Sequence, residues 1–123
     1  MTASRKRRIE EKDGKAAKAI SAGVDVLYQG DDIGEPTRML ISPDLWRKTI
    51  KPRMARIVAA ARSVNPDVHI LYHSDGYVLP IVEDLVEIGV TALNPVQPDC
   101  MDPLHVRARS RGKLTLWGTA GVQ

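Results

Sequence analysis

The stretch Val68-His69-Ile70-Leu71-Tyr72-His73-Ser74-Asp75-Gly76 decides the fold of this chain. Its first five residues are nearly all apolar, which suits a strand buried on both faces. The run then stops, and polar and small residues follow at once. The same transition occurs three more times. Residues 24–28 give way to Gln29-Gly30-Asp31-Asp32, residues 91–93 to Asn94-Pro95-Val96-Gln97, and residues 114–117 to Gly118-Thr119. Helical patterns fill the intervals. Strands alternating with helices predict a parallel α/β sheet whose carboxyl ends all carry polar groups. Parallel α/β folds keep their sites at that edge.

The intervening segments have readable starts and stops. Residues 9–22 read as a helix closed by Gly23. Residues 30–41 form a polar loop containing Gly34 and Pro36, long for a strand-to-helix connection, and loops of that length are often functional. Ser42-Pro43 opens a helix, since serine caps free amides and proline suits the first helical position. Leu45, Trp46, Ile50, Met54, Ile57, Val58 and Ala61 recur at helical spacing and form the expected core face. Pro52 interrupts that pattern and predicts a kink or a two-part helix. A helix over residues 79–88 places Ile81, Leu85 and Ile88 inward, and Asp102-Pro103 opens a short helix ending near Ser110. The strands start at 24, 68, 91 and 114, so the last two intervals are both 23 residues. That is close to a minimal βαβ repeat.

Composition sets the class. With 123 residues, 43% hydrophobic and 27% charged, the chain suits one globular domain. The net charge of +3 is local, because Arg5, Lys6, Arg7 and Arg8 supply four positives. Without them 14 basic groups face 15 acidic ones. Residues 1–8 therefore read as a solvated basic tail, and no nucleic-acid partner is expected. A lone cysteine, Cys100, allows no internal disulfide and fits a reducing cytoplasm. No apolar run approaches the ~18 residues that would span a membrane.

Several strand-end residues are equipped for chemistry. His73 suits a general acid, a general base or a metal ligand, and Asp75 suits a second ligand or an orienting partner. The same His-Ser-Asp-Gly sequence also makes an ordinary turn. Asp31 and Asp32 form a paired carboxylate fit for a cation or for substrate nitrogens, or simply an acidic turn. Sequence does not separate the two aspartates. Asn94 and Gln97 stand beside Pro95 and Pro98, which stiffen their loop, and either substrate contact or a structural turn accounts for them. Arg38 offers a carboxylate partner. Tyr28, Tyr72 and Tyr77 flank the polar ends. Cys100 reads as a plain thiol, and His69 and His105 as structural.

These residues together resemble the uroporphyrinogen decarboxylase superfamily. The likeness is carried by Gly30-Asp31-Asp32-Ile33-Gly34, by Leu40-Ile41-Ser42-Pro43-Asp44-Leu45-Trp46 and by Lys51-Pro52-Arg53. It continues through His73-Ser74-Asp75-Gly76, Leu85-Val86-Glu87-Ile88-Gly89-Val90, Ala92-Leu93-Asn94-Pro95-Val96-Gln97-Pro98 and Leu114-Thr115-Leu116-Trp117-Gly118. The order and spacing agree from about residue 16 to the end. The resemblance implies a segment of a TIM (β/α)₈ barrel with about four parallel βα units, over residues 9–123.

Two chemistries are implied. The default is decarboxylation of uroporphyrinogen acetate side chains in porphyrin biosynthesis, a lyase reaction without metal or organic cofactor. Asp31, Asp32 and His73 are then the catalytic candidates, with Asp75, Asn94, Gln97 and Arg38 for substrate. The alternative is zinc-dependent methyl transfer with a corrinoid partner. Relatives of that branch carry His-x-Cys where this chain has His73-Ser74-Asp75, so His73 and Asp75 become the zinc ligands, with aspartate a harder donor than thiolate. A tetrapyrrole- or corrinoid-type substrate is expected in either case. A third reading is an incomplete, inactive barrel. Its open sheet edges could be covered by self-association into a homo-oligomer.

Overall fold

A computed structural model of the chain describes residue 23 and residues 25–119. The expected basic tail at 1–8 and the helix at 9–22 lie outside the described residues. The described chain runs β1 (Val26–Gly30), α1 (Pro43–Thr49), α2 (Lys51–Val64), β2 (His69–His73), a 3₁₀ turn (Leu79–Ile81), α3 (Val82–Glu87), β3 (Ala92–Asn94), α4 (Pro103–Ser110) and β4 (Thr115–Leu116). The four strands form one parallel sheet in the order β1-β2-β3-β4. This is a βα series of a partial TIM barrel.

Local chemistry explains the boundaries. Ser42 caps α1 by accepting the Leu45 N–H at 3.1 Å, and Pro43 takes the first helical position. Pro52 cannot donate to the carbonyl four residues back, and the expected long helix divides at Ile50. Asn65 ends α2 in an extended conformation ahead of Pro66. Asp102 caps α4 through the Leu104 N–H at 2.8 Å. Two expectations need correction. The segment from Leu79 starts as a 3₁₀ turn over Leu79–Ile81 and becomes α-helical only at Val82. Leu45, expected in the core, is 49% exposed, because α1 presents Trp46 to the interior instead.

Register and alternation give the sheet two different faces. Gly30 sits opposite His73, and His73 opposite Asn94; two residues back, Tyr28 sits opposite Leu71 and Leu71 opposite Ala92. Leu27, Ile70, Tyr72 and Leu93 alternate with these and point into the core under the helices. There they meet Trp46, Met54, Ile57, Ile81 and Leu85, all almost fully buried. Burial of a side chain of this size contributes roughly 1.5–3 kcal/mol. The opposite face, turned inward in a closed barrel, carries Val26, Tyr28, His73 and Asn94.

One polar cluster ties the helices together. Asp84 on α3 is 8% exposed and accepts from Arg47 Nε at 3.2 Å and Lys51 Nζ at 2.8 Å. Arg47 also donates to the Pro80 carbonyl, and Lys51 to Glu87. No helix among the described residues is long and apolar enough to cross a membrane.

Candidate functional site

Parallel strands bring β1, β2 and β3 to the same edge, and three loops meet there. His73 is the last residue of β2, and its side chain is 27% exposed. Its Nδ1 lies 2.8 Å from Asn94 Oδ1. An amide oxygen only accepts, so Nδ1 is the donor in this bond, and Nε2 is the ring nitrogen left for other partners. Nε2 faces two carboxylates. Asp32 Oδ1 is 3.7 Å from Nε2, and Asp75 Oδ1 is 3.8 Å from it. The Tyr28 ring packs against the imidazole with centroids 5.8 Å apart, tilted by 34°.

The three groups fit a cation. Their ligand atoms all lie within 4.8 Å of one another. The separations from Nε2 exceed hydrogen-bond length, yet donors bound to one metal at about 2.0–2.2 Å stand roughly 3–4 Å apart. The donor chemistry also fits: a neutral imidazole with its other nitrogen hydrogen-bonded, and two carboxylates matching a divalent charge. The set is harder than a thiolate site and suits zinc, cobalt or manganese.

The loop after β1 is joined to the loop after β2 at several points. Asp31 N–H donates to the His73 carbonyl at 2.9 Å, continuing the ladder past the strands. Ser74, fully buried, accepts the Ile33 N–H at 3.2 Å and donates to the Asp75 carbonyl at 3.1 Å. Asp75 N–H donates to Asp32 Oδ1 at 3.2 Å, and Tyr77 N–H to the Glu35 carbonyl at 2.8 Å. At the crossing, the backbones of Gly34 and Gly76 touch. A Cβ on Gly34 would stand 2.8 Å from Tyr77 N and 2.9 Å from the Gly76 carbonyl carbon.

The remaining sequence candidates take other places. Asp31 is not in the three-group cluster. Its charge, with that of Asp32 and above all with burial, pushes the Tyr72 phenol up from its ordinary value. Arg38 stays at the surface, 78% exposed, and donates to Glu35 at 2.6 Å, a contact that raises its guanidinium pKa further. Asn94 holds His73 rather than standing open. Gln97 Oε1 accepts the Gly76 N–H at 2.7 Å and lies 3.8 Å from Cys100 Sγ. Cys100 is a free thiol outside the cluster. Ser74 and Gly34 were not singled out by sequence reasoning. The signal available for them was a glycine in each of two strand-end loops, which permits close backbone approach.

A family model described as uroporphyrinogen decarboxylase (URO-D) matches residues 15–119. No curated protein matches the chain. Among solved structures, a methyltransferase from Methanosarcina mazei is similar with a TM-score of 0.68 and 23% identity. The match covers 88% of this chain and 30% of the methyltransferase. At that identity the likeness establishes shared architecture.

Proposed function

The chain belongs to the uroporphyrinogen decarboxylase family, and from that membership we propose that its barrel-mouth site holds a divalent cation and serves methyl transfer involving a corrinoid-type partner. One observation carries this reading. His73 Nε2 faces Asp32 Oδ1 and Asp75 Oδ1 while Asn94 fixes the imidazole from behind. Asp32 and Asp75 would hold the cation with His73. When bound, the cation supplies Lewis acidity that favours the deprotonated form of an acceptor thiol. Asn94, bonded to Nδ1, keeps His73 Nε2 directed at the site. The Tyr28 ring lies beside the imidazole. The similar methyltransferase lends support at the level of architecture only.

Decarboxylation of a tetrapyrrole is the second reading, favoured by the description of the matching family model. His73 Nε2 would then exchange the proton at the reacting carbon, and the two carboxylates would stabilise positive charge developing on a pyrrole. Substrate, cofactor and partner differ between the readings, but the same three side chains act in both.

Equilibrium dialysis against Zn²⁺ separates them. We expect about one zinc per chain in the wild type and loss of that site in a His73→Ala/Asp75→Ala double variant. No bound zinc in a folded wild type, together with metal-free release of carbon dioxide from uroporphyrinogen by a full-length relative, would replace the first reading with the second.

A further inference from the structure

We infer that Gly34 and Ser74 are positioning residues that fix the Asp32 carboxylate against His73 and Asp75. The inference rests on the reading of these three side chains as the working site. Asp32 belongs to the loop after β1, whereas His73 and Asp75 belong to the end of β2 and the loop after it. Nothing in one loop alone sets the distance between them. Their separation is set where the loops cross; beside the main-chain bonds from Asp31 to the His73 carbonyl and from Tyr77 to the Glu35 carbonyl, two features there depend on residue identity.

The first is the contact of glycine backbones. Gly34 has no positive φ, so an alanine there meets no left-handed backbone strain. Its methyl would nevertheless press on the main chain of Asp75–Tyr77, and main chain cannot swing aside as a flexible side chain can. The loop after β1 must then move away, taking Asp32 with it. The second feature is the Ser74 hydroxyl. It accepts from Ile33, the residue after Asp32, and donates to the Asp75 carbonyl. One buried hydroxyl is thus bonded beside both carboxylate-bearing residues. The Asp75 N–H to Asp32 Oδ1 bond is then the direct consequence of the spacing that these two features impose.

The test uses the full 123-residue chain, with Gly34→Ala and Ser74→Ala prepared separately. Two readouts are taken. The first is Zn²⁺ affinity by competition titration. The second is hydrogen exchange at the Asp75 and Tyr77 amides without metal, which a general loss of stability would not confine to those two positions. Far-UV circular dichroism checks that each variant folds, and Ser74→Ala, which adds no bulk, serves if Gly34→Ala does not. We expect Zn²⁺ affinity to fall about 10–100-fold, the usual effect of losing support behind a ligand. Protection at Asp75 should be lost in both variants, and at Tyr77 in Gly34→Ala. Unchanged affinity in a folded variant, or unchanged protection at Asp75, overturns the inference. If the wild type binds no Zn²⁺ while both variants release the Asp75 amide, the cation reading fails and the positioning of Asp32 stands.

Discussion

Tyr72 lies fully buried in β2, and its hydroxyl makes no hydrogen bond among the described residues. Burial, then the charges of Asp31 and Asp32, raise its pKa above the ordinary 10.0. The unfolded chain ionises this phenol near pH 10, whereas the folded chain resists. The phenol therefore leaves stability intact below that pH and reduces it as the pH rises further. Lys51 acts in the same direction, since its bonds to Asp84 and Glu87 raise its pKa above 10.5 and their contribution fades as the amine loses its proton. Tyr72→Phe removes a hydroxyl with no partner to disappoint. Urea unfolding at neutral pH should show a change within about 1 kcal/mol, with a shallower loss of stability above about pH 10. A loss of more than about 2 kcal/mol at neutral pH would mean that the hydroxyl has a partner.

Helix α3 is short, and Asp84 anchors it to α1 and α2 through Arg47 and Lys51. Truncation by Asp84→Ala should cost about 1–3 kcal/mol in thermal or urea unfolding; the lower part of that range applies because both cations retain access to water. An unchanged melting temperature would show that apolar packing of Ile81, Val82 and Leu85 holds the element alone. At this scale much was legible in advance. The apolar runs ending in polar clusters marked all four strands, because one face of each strand packs under the helices while polar residues gather at the carboxyl ends. Ser42-Pro43 and Asp102-Pro103 marked helix starts, because capping is local chemistry. What escaped was set by packing across the chain. Leu45 and Trp46 are adjacent in sequence, and only the direction of α1 against the sheet decides that the tryptophan is buried. Likewise, Asp31 and Asp32 are indistinguishable in composition. The crossing of Gly34 over Gly76 turns Asp32, and not Asp31, into the cluster around His73. The Gln97 oxygen accepts from the Gly76 amide of another loop, a pairing that its own stretch of sequence does not carry.

Over the whole molecule, parallel connectivity concentrates function at one edge. Three strand ends in sheet order deliver Asp32, His73 and Asn94 to one level, although 62 residues separate the first from the last. The chain spans about 30% of the length of the methyltransferase it resembles in fold. The activity of a complete barrel is accordingly a proposal, whereas the cluster is a property of the residues present. Its donor set makes a definite statement about what surrounds a bound ion. X-ray absorption at the zinc edge on the Zn²⁺-loaded 123-residue chain tests it most directly. The account predicts a first shell of nitrogen and oxygen at about 2.0–2.2 Å, with an imidazole contribution and no sulfur. A sulfur shell near 2.3 Å would draw Cys100 into the site and contradict the account, as would a spectrum unchanged in the His73→Ala/Asp75→Ala variant.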